Sequence, residues 1–431
     1  MDVRTRFAED VCYVCGCKTN RCCKGCRSVF YCSEAHRQKH WEDHTEACLE
    51  IRAAVTNLKE AEDTFIGRNR PEYRNLRGIL ADMERGKAPG PEVECFCTVF
   101  CSPVMMARFN LITAYHQVNS HRGTVNACNT AITTQFLGKC DPMKIRCITA
   151  NLLVRVGSKQ NAYDFIRFWL INGDKYRCQG TNPKPFIPLR NTDAFEPCRR
   201  LIKPFKKASV SPPASFLVPL ALLKFKLLID IKNLRNLQLL RTKLPFDVVH
   251  MIKKYFYTTD IMKRRHDISR IDTLRGYERV IKKLEKDLDT LFEICGQAFE
   301  GRYVVWRCFF EQDPKNQARR YSKEVQKIYN YSADAWMETP GGYEWILKKL
   351  GEACDRELFG EDRIKAAAQV AHFERELRSK SDRMDDMSVD SSEFEEEDDA
   401  DSDIPYFESE DYKESLYESL SESFDFGFGY P

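Results

Sequence analysis

Eight of the chain's 19 cysteines fall between residues 12 and 48, in step with two of the histidines there. The order is Cys12-x2-Cys15, Cys23-x2-Cys26, Cys32-x3-His36 and His44-x3-Cys48. Thiolate and imidazole are the donors that zinc takes, and a Cys-x2-Cys knuckle turns the chain so that both sulfurs reach one ion. Gly16, directly after Cys15, suits the left-handed residue such a turn often needs. The two x3 pairs have i, i+4 spacing, which puts both donors on one face of a helical turn. Eight ligands fill two tetrahedral centres, so the expected cofactor is two zinc ions per chain. If the two helical pairs share an axis, their centres stand ~120° apart around it, and they should not share an ion. Spacing leaves sequential and interleaved pairings both open. Cys17 and Cys22 are left over, since Cys23 keeps the x2 spacing to Cys26.

The elements around this cluster follow from composition and period. The chain has 431 residues, 43% hydrophobic and 30% charged, enough for one large core or two ordinary ones. The net charge of +3 hides a division. Residues 384–431 hold 18 Asp or Glu against one Lys, a charge of −17, which leaves +20 for residues 1–383. The most apolar stretch, 216–223, is soon followed by Lys224, Lys226, Asp230 and Lys232, far short of the ~20 apolar residues a membrane helix needs. The N-terminus shows no secretory signal, so the expected setting is intracellular and reducing, in nucleus or cytoplasm. Cysteines such as Cys128, Cys147 and Cys295 then read as small buried hydrophobes.

Helical periodicity dominates residues 51–378. Leu274, Tyr277, Ile281, Leu284, Leu288, Leu291 and Cys295 follow alternating steps of three and four, the stripe of a bundle helix. Leu220, Leu223, Leu227, Ile231, Leu234 and Leu237 mark a second helix, with Lys224, Asp230 and Arg235 expected to face out. Tyr163, Ile166, Trp169 and Leu170 mark a third, stopped by Asn172-Gly173. Residues 176–214, with seven prolines, read as a connector. Leu244-Pro245-Phe246 looks superficially like the start of an F-box and reads better as the first turn of a core helix. Residues 384–431 mix their acids with nine aromatics and no aliphatic period, which predicts disorder and either a solubilising or a partner-binding role.

Cys12-Tyr-Val-Cys15, Arg21-Cys-Cys-Lys-Gly-Cys26-Arg-Ser-Val-Phe-Tyr-Cys32-Ser and Trp41-Glu-Asp-His44-Thr-Glu-Ala-Cys48 together resemble a MYND-type zinc finger. The resemblance implies interleaved centres, one on Cys12, Cys15, Cys32 and His36 and the other on Cys23, Cys26, His44 and Cys48. It also implies a groove for proline-containing peptides bordered by Trp41. The family usually has Cys at His36, Gln at Arg37 and Asp at His40, so the groove differs here while His36 remains a competent ligand. In the body, Gln160 to Trp169, Asp193 to Pro197, Leu222 to Asp230 and Tyr331 to Gly341 are similar to a group of fungal proteins with an N-terminal finger of this type. That similarity implies a helical body and no particular chemistry.

Some proteins with this finger carry it in a lysine methyltransferase, whose cofactor turn contains Asn-His. Beyond the finger the histidines are His116, His121, His250, His266 and His372, and none follows an Asn. There is no phosphate loop, His-Glu-x2-His helix or nucleophile elbow. Cys128 with His116 would be a nucleophile and base only if folding joined them.

The expected architecture is therefore mostly α. A two-zinc finger at 8–50 precedes an all-helical body, of stacked helix pairs, at 51–175 and 215–378. The connector at 176–214 joins its parts, and a disordered acidic tail at 379–431 follows. The expected function is a nonenzymatic adaptor that docks peptide segments of partner proteins, with transcriptional regulation as one setting. The alternatives are nucleic-acid binding through basic runs such as Lys263-Arg-Arg265, Lys206-Lys207 and Arg199-Arg200, and a methyltransferase-type enzyme.

Overall fold

The structure is a computed structural model that describes residues 11–67, 102–137, 141, 143–172, 189–208, 210–241, 243–253, 258–269, 271, 273–311 and 313–357. The acidic tail and the readings placed on it lie outside the described residues. Among the described residues there is no strand, only two isolated bridges, Val11 with Lys18 and Cys22 with Phe30, both in the cysteine-rich segment.

Two helices start in that segment. Helix α1 (Glu34–Lys39) is capped by Ser33, whose side chain accepts from the His36 N–H, and ends at His40. Helix α2 (Trp41–Gly67) carries His44 and Cys48 in its first turns and runs unbroken past residue 50 into the body. There α3 (Ser102–Gln117), α4 (His121–Leu137), α5 (Ile145–Val156) and α6 (Lys159–Asn172) follow, each packed on the one before it. Gly157 closes α5 at φ 94°, a conformation that favours a residue without Cβ. The stretch read as a connector holds α7 (Cys198–Lys207). Its approach is pinned by Asp164 on α6, whose carboxylate accepts from the backbone N–H groups of Asn191 at 2.8 Å and Thr192 at 2.9 Å.

The centre of the body is α8 (Ala214–Leu240), buried along almost its whole length. It packs against α5, α6, α9 (Phe246–Lys253) and above all α12 (Leu274–Gly296), with the short α10 (Asp260–Arg264) and α11 (His266–Ser269) between α9 and α12 in the chain and α10 packed on α6. The predicted α12 stripe from Tyr277 to Cys295 is the buried face against α8, so it is a bundle seam within one chain; Leu274 alone of the seven is exposed. Beyond it, α13 (Val304–Arg307), a 3-10 turn at Cys308–Phe310, α14 (Pro314–Arg320), α15 (Lys323–Met337) and α16 (Gly342–Glu357) close the bundle. Trp336 and Trp345 stack there, Trp306 meets both edge-on, and Trp306 Nε1 donates to the Phe292 carbonyl at 3.0 Å.

The expectation that Lys224 and Asp230 face out is corrected. Both are fully buried, and of the three charges named only Arg235 reaches solvent, paired with Glu278 on α12. Around Lys224 and Asp230 the helix is covered on every side, so charges there must find partners. Lys224 Nζ donates to Asp287 at 2.9 Å and to the Glu196 carbonyl at 2.8 Å. The Asp230 carboxylate accepts from the backbone N–H and hydroxyl of both Thr258 and Thr259. No described helix is long and apolar enough to cross a membrane.

Candidate metal centre

Each knuckle is built by its own backbone. Around the first, Cys12 N–H donates to Cys17 O and Gly16 N–H to Cys12 O, with Gly16 at φ 75°. Around the second, Cys23 N–H donates to Val29 O and Arg27 N–H to Cys23 O, with Arg27 in the left-handed region at φ 54°. Cys32 just before α1, His36 on α1, and His44 and Cys48 on α2 are the remaining donors. Their shared axis, assumed from spacing, does not exist: Cys32 precedes the Ser33 cap and the chain breaks at His40. The two pairs reach different centres because they stand on different elements.

The eight donors gather into two groups, Cys12, Cys15, Cys32 and His36, and Cys23, Cys26, His44 and Cys48, with the ligand atoms of each group within 4.8 Å of one another. The pairing is interleaved. A tetrahedron with metal–sulfur arms of about 2.3 Å has edges of about 3.8 Å. Four separations lie close to it: Cys15 to Cys32 Sγ is 3.5 Å, Cys23 to Cys48 Sγ is 3.8 Å, Cys12 Sγ to His36 Nδ1 is 3.6 Å and Cys26 Sγ to His44 Nε2 is 3.5 Å; Cys32 Sγ to His36 Nδ1 is shorter, at 3.0 Å. Hydrogen bonding to Cys23 and Cys48, then burial, pushes the Cys26 thiol far above its ordinary value. Thiols packed this closely cannot all ionise without a cation between them. The donor set therefore suits two zinc ions.

The two centres differ in exposure. In the first, Cys12 is buried, Cys15 exposed and Cys32 and His36 half-buried; in the second all four ligands are buried. The second shares a hydrophobic cluster with Val29, Tyr31, Ile51 and Ala54 and with Leu111, Ala114 and Val118 of the body.

Several residues that spacing did not single out complete the site. A Cβ on Gly25 would lie 2.8 Å from Cys48 Sγ, so only glycine lets the second knuckle close on α2. Its place between Cys23 and Cys26 was the available signal. His40 is no ligand. Its Nδ1 pairs with the Tyr31 hydroxyl at 2.8 Å, and its ring stacks between Tyr13 and His44, steadying a ligating ring from behind. Cys17 and Cys22 are exposed and belong to neither group. On the outer side of the break, Trp41 is 39% exposed, with the Arg37 guanidinium 5.5 Å from its ring centre and held by the Glu34 carboxylate through two nitrogens.

A compact frame of two knuckles and two helix starts, cross-linked by interleaved Cys/His centres, defines a two-zinc finger. Residues 12–48 match the family model of the MYND finger. Comparison of the chain with curated proteins and with solved structures gave no match. MYND fingers are zinc-binding domains that commonly mediate protein–protein interaction, and when bound, zinc supplies the cross-links that hold so small a frame, worth about 10–16 kcal/mol in domains of this kind.

Proposed function

We propose that this chain is a nonenzymatic adaptor whose finger docks peptide segments of partner proteins on the surface around Trp41. The observation that carries this reading is the exposure of Trp41 beside a rigid metal frame, where a core residue would be covered. An aromatic ring already oriented by Arg37 loses little freedom on binding, which is how anchoring residues contribute most of an interface's energy. Proline-containing peptides, rigid and apolar, suit such a ring.

Two observations support docking over catalysis or nucleic-acid binding. Burial pushes the Cys128 thiol up to about 12, which leaves it a poor nucleophile at neutral pH. Of the basic run at 263–265, Arg265 is engaged by Asp193, Asp267 and the Phe195 ring, and Arg264 by Asn191.

The test is Trp41→Ala in the full chain, with zinc measured by native mass spectrometry and binding of proline-containing peptides by fluorescence anisotropy. The expected result is two zinc ions retained and affinity reduced about 10-fold or more. Unchanged affinity would remove Trp41 from the docking surface.

A further inference from the structure

We propose that the helical body is a working part of the second zinc centre, acting through Ser120 and Asn126 on Ser28. This goes beyond the docking reading and does not depend on it.

Ser28 follows the second knuckle, is wholly buried and faces the metal ligand Cys26 twice. Its backbone N–H points at Cys26 Sγ at 3.4 Å, and its hydroxyl donates to the Cys26 carbonyl at 3.0 Å. An N–H aimed at a ligating sulfur fixes the direction from which that sulfur can meet the metal. What fixes Ser28 comes from 92 residues further along the chain. The Ser120 hydroxyl, in the turn between α3 and α4, donates to the Ser28 carbonyl, and Asn126 Nδ2 donates to the Ser28 hydroxyl at 3.2 Å. Ser120 is itself fixed by accepting from Gly123 N–H at 2.9 Å. That turn is tight: a Cβ on Gly123 would meet the Tyr115 carbonyl at 2.8 Å. The clasp is therefore rigid from the body side.

The first centre has no such clasp among the bonds described and leaves Cys15 open to solvent. The two ions are thus unequal. The outer one is exchangeable, and the inner one is locked for as long as the α3–α4 turn holds Ser28. Ser28 is the outer-shell partner of Cys26, and loss of such a partner typically costs about 10–100-fold in metal affinity; Ser120 and Asn126 are positioning residues that act through it.

The test uses the full zinc-loaded chain, exposed to a chelator together with a thiol-alkylating reagent. Mass spectrometry reads which cysteines become modified and when, and circular dichroism follows the body in the same samples. In the wild type, the unligated and exposed Cys17 and Cys22 react at once; among the ligands, Cys12, Cys15 and Cys32 should be alkylated first and Cys23, Cys26 and Cys48 at least 10-fold more slowly. Ser120→Ala and, separately, Asn126→Ala should speed the second set about 10-fold or more and leave the first unchanged, while Ser120→Thr, which keeps the hydroxyl, should behave as wild type. A variant that simply loosened the fold would speed both sets together, and that outcome overturns the proposal. So does simultaneous release of both sets in the wild type. Should Ser120→Ala lose helicity through its lost cap, Asn126→Ala decides alone, since its amide reaches Ser28 without capping a helix.

Discussion

Lys224 on α8 and Asp287 on α12 form an ion pair of 2.9 Å inside the main seam of the body, with the lysine side chain wholly withdrawn from water. The same carboxylate accepts from the Cys198 N–H at 3.0 Å, and the same ammonium caps the Glu196 carbonyl, so one pair fastens α7 and its preceding turn to the central helices. Breaking such a pair leaves an uncompensated charge. Lys224→Met should cost about 3–5 kcal/mol, read as a fall in urea midpoint. Adding Asp287→Leu should recover part of the loss. An exposed-pair cost below about 1 kcal/mol would contradict the burial.

The Gly25 contact predicts a selective metal defect. Gly25→Ala places a methyl carbon against Cys48 Sγ, so zinc content should fall from two ions per chain towards one, with Cys23, Cys26 and Cys48 becoming reactive. Far-UV circular dichroism should change little beyond the start of α2. Two fully retained ions would show that the knuckle can shift.

A buried polar cluster gives a pH prediction. His116 Nε2 donates to the Asn330 carbonyl at 2.8 Å, and the ring is held below its ordinary value of 6.5 by burial and by Arg155. Arg155 is in turn paired with Asp334 and Glu338, and burial raises Glu338 to about 7. The signs oppose. The depressed histidine contributes stability that is present above 6.5 and lost as pH falls. The raised glutamate contributes stability that is present below its ordinary 4.5 and lost as pH rises through about 7. Relative to wild type, Glu338→Gln should therefore lose stability more steeply from pH 7 to pH 5, and His116→Gln less steeply. Urea midpoints at the two pH values check this, and identical slopes in both variants would refute the assignment.

Much of the metal site was legible because ligand chemistry is local. All eight donors could be named from type and spacing, and a resemblance supplied their interleaving. Spacing alone points to separate centres only through a shared helix axis, and the break at His40 removes that axis. Helix existence was equally legible where period was strong, as in α6, α8 and α12. The charged residues of α8 were misread for a physical reason: period reports where apolar side chains lie, and a buried charge with a partner looks the same in sequence as a solvated one.

By itself, then, the sequence determined the donor set, the helical class of the body and the apolar stripe of its most regular helices, since each depends on residues within a turn or two of one another. The tertiary structure alone decided which charges are buried, that Trp41 faces outward, that Gly25 makes room for Cys48, and that Ser120 and Asn126 hold the loop of Cys26. Those contacts join residues tens of positions apart, up to 98 for Asn126 and Ser28. Packing of whole helices brings them within hydrogen-bond distance, and no local pattern in the chain encodes that distance.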